Sequence, residues 1–94
     1  MAEISRTVRI GSSHGLHARP AKLFAQAAKE AGMPVTVAKD SGKPVNAASI
    51  LGVISLGVEQ GDYVTLAVET DDDSAGEKTL DALAELLTTD HDAA

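Results

Sequence analysis

The sequence predicts an α+β fold in which one four-stranded sheet carries three helices on a single face, in the order βαββαβα. Three observations lead there. Residues 4–10 and 63–69 alternate apolar and polar side chains with the period of a strand, and two more extended segments flank the turn residues Asp40-Ser41-Gly42. Three other segments repeat apolar residues at helical spacing. Short strands and amphipathic helices in this number pack most economically as one sheet covered on one side. The uncovered face meets water, which suits Ser5, Thr7, Thr36 and Thr65 at alternating positions.

In the first strand Ile4, Val8 and Ile10 alternate with Ser5, Thr7 and Arg9, and Arg6 interrupts the apolar side. A charge there predicts an edge strand or a partly covered face. Gly11 to Gly15 reads as a loop by composition. The first helix is expected from about Ala18 to Ala31. Pro20 suits its first turn, Ala21, Phe24, Ala25 and Ala28 form the core stripe, and Gly32 supplies the stop. Pro34 to Lys39 predicts a second strand, and Lys43 to Ala47 the returning strand of a hairpin, placed at a sheet edge by Pro44.

Ser49 is expected to cap a two-turn helix, Ile50 to Leu56, closed by Gly57. Gln60-Gly61-Asp62 turns the chain into a strand from Tyr63 to Glu69, with Val64, Leu66 and Val68 on one side. Ser74 and Glu77 have the spacing of a capping box for the last helix, whose stripe is Leu80, Leu83, Ala84 and Leu87. Residues from about Thr88 onward are expected to fray.

At 94 residues the chain is read as one domain, 1–94, with a small aliphatic core, since it holds one Phe, one Tyr and no Trp. The absence of cysteine removes disulfides and thiolate metal sites. No secretory signal or membrane span is evident, so a cytoplasmic protein without direct membrane binding is expected. The net charge of −6 argues against nucleic acid as a partner. That charge is uneven. Residues 1–68 carry seven Lys and Arg against five acids, whereas residues 69–94 carry one Lys against nine acids. The basic bias around Arg19, Lys22 and Lys29 suits a phosphate and docking on acidic partners.

The chemistry concentrates in Gly15-Leu16-His17-Ala18-Arg19-Pro20-Ala21. His17 and Arg19 fall where a helix begins, beside unpaired backbone N–H groups and the positive end of the dipole. Such a terminus seats an anion. It also lowers an imidazole pKa, leaving a lone pair free at neutral pH. Arg19 can hold phosphate oxygens through paired donors. His14 and His17 lack a third ligand, and no metal or cofactor is expected. A histidine in a loop before a helix is also commonly a solvated residue or a cap.

This string strongly resembles the active-site motif of the histidine-containing phosphocarrier (HPr) family of the bacterial phosphoenolpyruvate-dependent sugar phosphotransferase system. A second segment, Val45 to Gly57, resembles the family's regulatory-serine and second-helix region at the family's separation. The resemblance implies an open-faced β-sandwich with an antiparallel sheet. It further implies a stoichiometric carrier rather than an enzyme: His17 accepts a phosphoryl group from phospho-Enzyme I and passes it to IIA domains of sugar permeases. Arg19 contacts the phosphate, and Gly15, Ala18 and Pro20 build the phosphate loop and helix start. Lys22, Ile50, Leu51 and Ile54 dock the partners.

By the residues alone, Ile50 and Val53 are the candidates for core positions in that short helix. Ser49 has two roles open, an ordinary cap and, as in some Gram-positive relatives, the target of a regulatory kinase. One position departs from the family pattern. Where relatives carry a small hydrogen-bonding residue three before the phosphorylated histidine, this chain has His14, whose charge would lower His17 further. Two other readings stand beside the sugar carrier. One is a regulatory binding module acting on an enzyme or transcription regulator through Ser49; the other is a carrier in a nitrogen-related branch.

Overall fold

The computed structural model describes residues 2–11, 18–39 and 42–88. Its elements are β1 (Ala2–Arg9), α1 (Ala18–Glu30), β2 (Val35–Lys39), β3 (Val45–Asn46), α2 (Ile50–Ser55), β4 (Tyr63–Thr70) and α3 (Asp73–Thr88). The sheet is antiparallel throughout, in the order β1-β4-β2-β3, with β1 and β3 at its edges. Period-two alternation becomes rows across the sheet. On the helix side Ile4 lies beside Val68 and Val35, and Arg6 beside Leu66, Val37 and Val45. Val64, Leu66, Val68 and Val37 are fully buried there, with Phe24 from α1, Val53 from α2 and Leu80 and Leu83 from α3. On the other face Ser5 and Thr7 are exposed, Thr36 and Thr65 half-buried, and the Thr7 and Thr65 hydroxyls lie 3.3 Å apart.

Arg6 resolves its own anomaly. It points toward the helices at the β1 edge, where Nη2 donates to Glu77 Oε2 at 2.8 Å and Nη1 to Asp81. The hydrogen bond to Asp81, with added attraction from both carboxylates, holds the guanidinium above its ordinary pKa against an opposing loss of hydration. An inward charge of this kind blunts an edge strand against further pairing.

Two expectations are corrected here. The returning strand covers only Val45–Asn46, not Lys43 to Ala47. Pro44 offers no N–H, and Asn46 turns the chain at once: its Oδ1 accepts from Ala48 N–H at 2.9 Å and its carbonyl from Ser49 N–H at 3.1 Å. The last helix is not capped by Ser74. It starts at Asp73, and Asp72 serves instead, its Oδ1 accepting from Ala75 N–H at 3.2 Å and its carbonyl from Gly76 N–H at 3.0 Å. Glu77, the expected reciprocal member of the box, is engaged by Arg6. Thr88 is still helical, while the expected fraying beyond it falls outside the described residues. Smaller differences concern helix ends: α1 stops at Glu30 and α2 at Ser55, with Gly32 (φ +74°) and Gly57 (φ +64°) just beyond.

Candidate functional site

Helix α1 begins at Ala18, the residue after His17 in the sequence. Pro20 is buried in its first turn, where a missing N–H costs no intrahelical bond. Arg19 is exposed in the same turn, and no acid precedes Glu30 on the helix. His17, His14, Gly15 and His91 lie outside the described residues, and so does the side chain of Ala18. Among the described residues no cluster of three potential metal ligands occurs.

Helix α2 stands beside α1. Ser49 occupies its N-cap in extended conformation (φ −97°, ψ 114°), and its Oγ accepts from Gly52 N–H at 3.1 Å. The capping role read from the sequence is therefore met. Val53 is buried, as expected for a core position, but Ile50 is not: it is 44% exposed, and Leu51 beside it is 80% exposed. Ile54 is half-buried and packs against the core. Six residues make under two turns, so only the face around Val53 can reach the sheet. Ile50 turns instead toward α1, where it shares a shallow groove of about 600 Å³ with Lys22, Ala25, Gln26, Lys29 and Ala48. Lys22, Gln26 and Lys29 sit at i, i+4 and i+7, so two lysines line the groove over an apolar floor, with the Glu30 carboxylate, which accepts from Gln26 Nε2, at the same rim. Thus Lys22 and Ile50 meet, Leu51 is presented to solvent, and Arg19 is exposed at the start of the adjoining helix.

The connection from α2 to β4 was not singled out in the sequence beyond its turn. Lys39 Nζ donates to the Gly57 carbonyl at 3.2 Å and lies 3.4 Å from Asp62 Oδ2, which also accepts from Glu59 N–H at 2.9 Å. The Glu59 N–H, and then Lys39, hold the Asp62 carboxyl below the ordinary carboxylate range. Gly61 (φ +90°) donates to Ile10 O at 2.9 Å while Ile10 N–H reaches Asp62 O at 2.8 Å, a glycine bulge in which two residues oppose one.

Residues 4–89 match the family described as the PTS HPr component phosphorylation site. The chain belongs to the HPr family. It is 48% identical over 87 residues to the phosphocarrier protein HPr of Streptomyces coelicolor, covering 93% of this chain and 88% of that protein. The crystal structure of a phosphocarrier protein HPr from Bacillus anthracis superposes with a TM-score of 0.83 at 38% identity, covering 93% of this chain and 99% of the other. The solution structure of Crh, the Bacillus subtilis catabolite repression HPr, superposes with a TM-score of 0.65 at 37% identity over 96% of this chain and 100% of that one. Members of the HPr family are phosphocarriers of the phosphotransferase system rather than catalysts, and the open sheet with three helices is their fold.

Proposed function

We propose that this chain carries a phosphoryl group on His17, taking it from phospho-Enzyme I and delivering it to IIA domains of sugar permeases. The reading is supported most by the start of α1 directly after His17, with Arg19 exposed in its first turn, in a chain of the HPr family. An imidazole nitrogen attacks phosphorus as the donor's bond to phosphorus breaks, and the same P–N bond breaks when the acceptor attacks in turn. The first-turn N–H groups and Arg19 hold the phosphoryl oxygens without a covalent trap. Gly15, Ala18 and Pro20 shape that start. The exposed Leu51 and Ile50, with the half-buried Ile54 and with Lys22, form the docking surface, an aliphatic patch flanked by lysine.

The test is transfer from phosphoenolpyruvate through Enzyme I to a IIA domain. His17→Ala should abolish labelling. Arg19→Ala should slow transfer with the fold intact, and Leu51→Glu should raise KM with little change in kcat. Labelling of His17→Ala at the wild-type rate would refute the assignment.

A second reading, regulation through Ser49, is favoured by the likeness to a protein named as a catabolite repression HPr. A phosphate on Ser49 would sit at the α2 N-terminus, tolerated by the helix but repelling acidic partners. Capture of a partner that depends on phosphorylated Ser49, with no labelling of His17, would put this reading first.

A further inference from the structure

Helix α2 carries Leu51 on fewer than two turns, and a helix so short takes its direction from what holds its ends. Val53 is the buried side chain of the helix, with Ile54 half-buried against the core. One point of burial fixes the position of a helix better than its tilt. The N-terminal end is held locally: Ser49 Oγ accepts from Gly52 N–H, and the Asn46 carbonyl accepts from Ser49 N–H. The C-terminal end is held from a distant part of the chain.

The last turn closes when the Leu56 and Gly57 N–H groups donate to the Val53 and Ile54 carbonyls at 3.2 and 3.1 Å, and Gly57 then leaves the helix with φ +64°. The Gly57 carbonyl accepts from Lys39 Nζ at 3.2 Å. Lys39 is the last residue of β2 and pairs with the buried Val64, so its side chain leaves the sheet on the helix side. A cation there also meets the negative end of the α2 dipole. Asp62 Oδ2 stands 3.4 Å from the same ammonium and accepts from Glu59 N–H at 2.9 Å. The acid that steers Lys39 is thus itself held by main chain. The end of β2, the end of α2 and the approach to β4 meet at one ammonium. Leu51 lies about 9 Å along the helix from this clamp, so any change of tilt there displaces it.

We propose that Lys39 is a positioning residue for partner docking: its ammonium, steered by Asp62, clamps the C-terminal end of α2 and sets the direction in which Leu51 and Ile50 are presented. This rests on α2 being the surface that meets Enzyme I. Lys39 acts through the Gly57 carbonyl rather than as a charge offered to the partner. Its side chain is 35% exposed, and two oxygens already engage the ammonium.

Four variants separate a clamp from a contact. Lys39→Met keeps the stem and removes the donor, Lys39→Arg restores a cationic donor, Asp62→Asn loosens the steering, and Leu51→Ala trims the patch. Calorimetric titration with unphosphorylated Enzyme I reads docking without phosphoryl transfer. Kd should rise about fivefold in Lys39→Met, the scale of one hydrogen bond, and return to within about twofold of wild type in Lys39→Arg. Asp62→Asn should raise it about twofold, as for a half-exposed ion pair. In steady-state transfer the loss should fall on KM and leave kcat unchanged. In a Leu51→Ala background the further cost of Lys39→Met should drop below about twofold, because the side chain it aims is gone. The amide resonances of residues 50–55 should move in Lys39→Met and return in Lys39→Arg. An unchanged Kd in Lys39→Met, or a loss in kcat instead of KM, would overturn the proposal. So would an undiminished loss in the Leu51→Ala background, which would make Lys39 a direct contact. If Leu51→Ala itself binds Enzyme I as wild type does, the docking reading fails and the proposal with it. If Leu51→Ala weakens binding while Lys39→Met does not, the proposal alone fails.

Discussion

At the scale of single residues, Ser49 is the side chain whose capping role and proposed regulatory role can be separated by chemistry. Its hydroxyl accepts one of the unpaired N–H groups at the head of α2, that of Gly52. Ser49→Ala should cost about 1 kcal/mol, seen as a lower urea midpoint. Ser49→Asp preserves a capping acceptor and should hold stability near wild type, yet weaken docking on an acidic partner by adding charge at the patch. Equal stability of wild type and Ser49→Ala would show that the capping bond contributes nothing in solution. The cap was legible because its partner is three residues away. Ile50 was not, because the pattern Ile50, Leu51, Val53, Ile54 has more apolar residues than a helix of six residues can bury. Only the contact with α1 decides which of them turn outward.

Between elements, the joints are made by residues far apart in the chain, and there the sequence was silent. The Arg6 anomaly announced an edge strand but not the carboxylates at Glu77 and Asp81, more than seventy residues on. The competition between Asp72 and Ser74 for the head of α3 was invisible for a related reason: both are good caps, and the bond from Arg6 to Glu77 leaves the capping box without its reciprocal member. The β1–α3 joint at Gly11 gives a sharp prediction. Gly11→Ala brings a methyl group against backbone at Thr88 and should destabilise the fold by about 1–3 kcal/mol in urea unfolding. Unchanged stability would mean that α3 ends farther from β1 than described.

The α2–β4 connection gives another, in pH. The Asp62 carboxyl is held below the ordinary carboxylate value, first by the Glu59 N–H and then by Lys39. Its stabilisation is therefore complete above that value and lost as pH falls through the lower folded pKa. In acid titrations followed by circular dichroism, Asp62→Asn should flatten the fall in stability below about pH 4. An identical acid limb in both proteins would remove the charge from this account.

Over the whole molecule, the order of elements along the chain, helix positions and the polar open face were all legible, because β4 and the amphipathic helices state their faces by local spacing, whereas the sheet order β1-β4-β2-β3 was not. The meeting of α1 with α2, which creates the groove lined by Lys22, Lys29 and Ile50, needed the fold. So did the anchoring of Gly11 by Gln60, 49 residues away. What unifies these parts is a division of labour. Helix α1 starts at Ala18, the residue after the proposed phosphoacceptor His17, α2 presents Leu51, and α3 with the α2–β4 connection holds Gly11. The most direct measurement is to react the purified chain with phosphoenolpyruvate and Enzyme I and map the adduct. One phosphoryl group per chain is expected, on His17, labile in acid and stable in base. An adduct on any other residue, or one stable to acid, would contradict it.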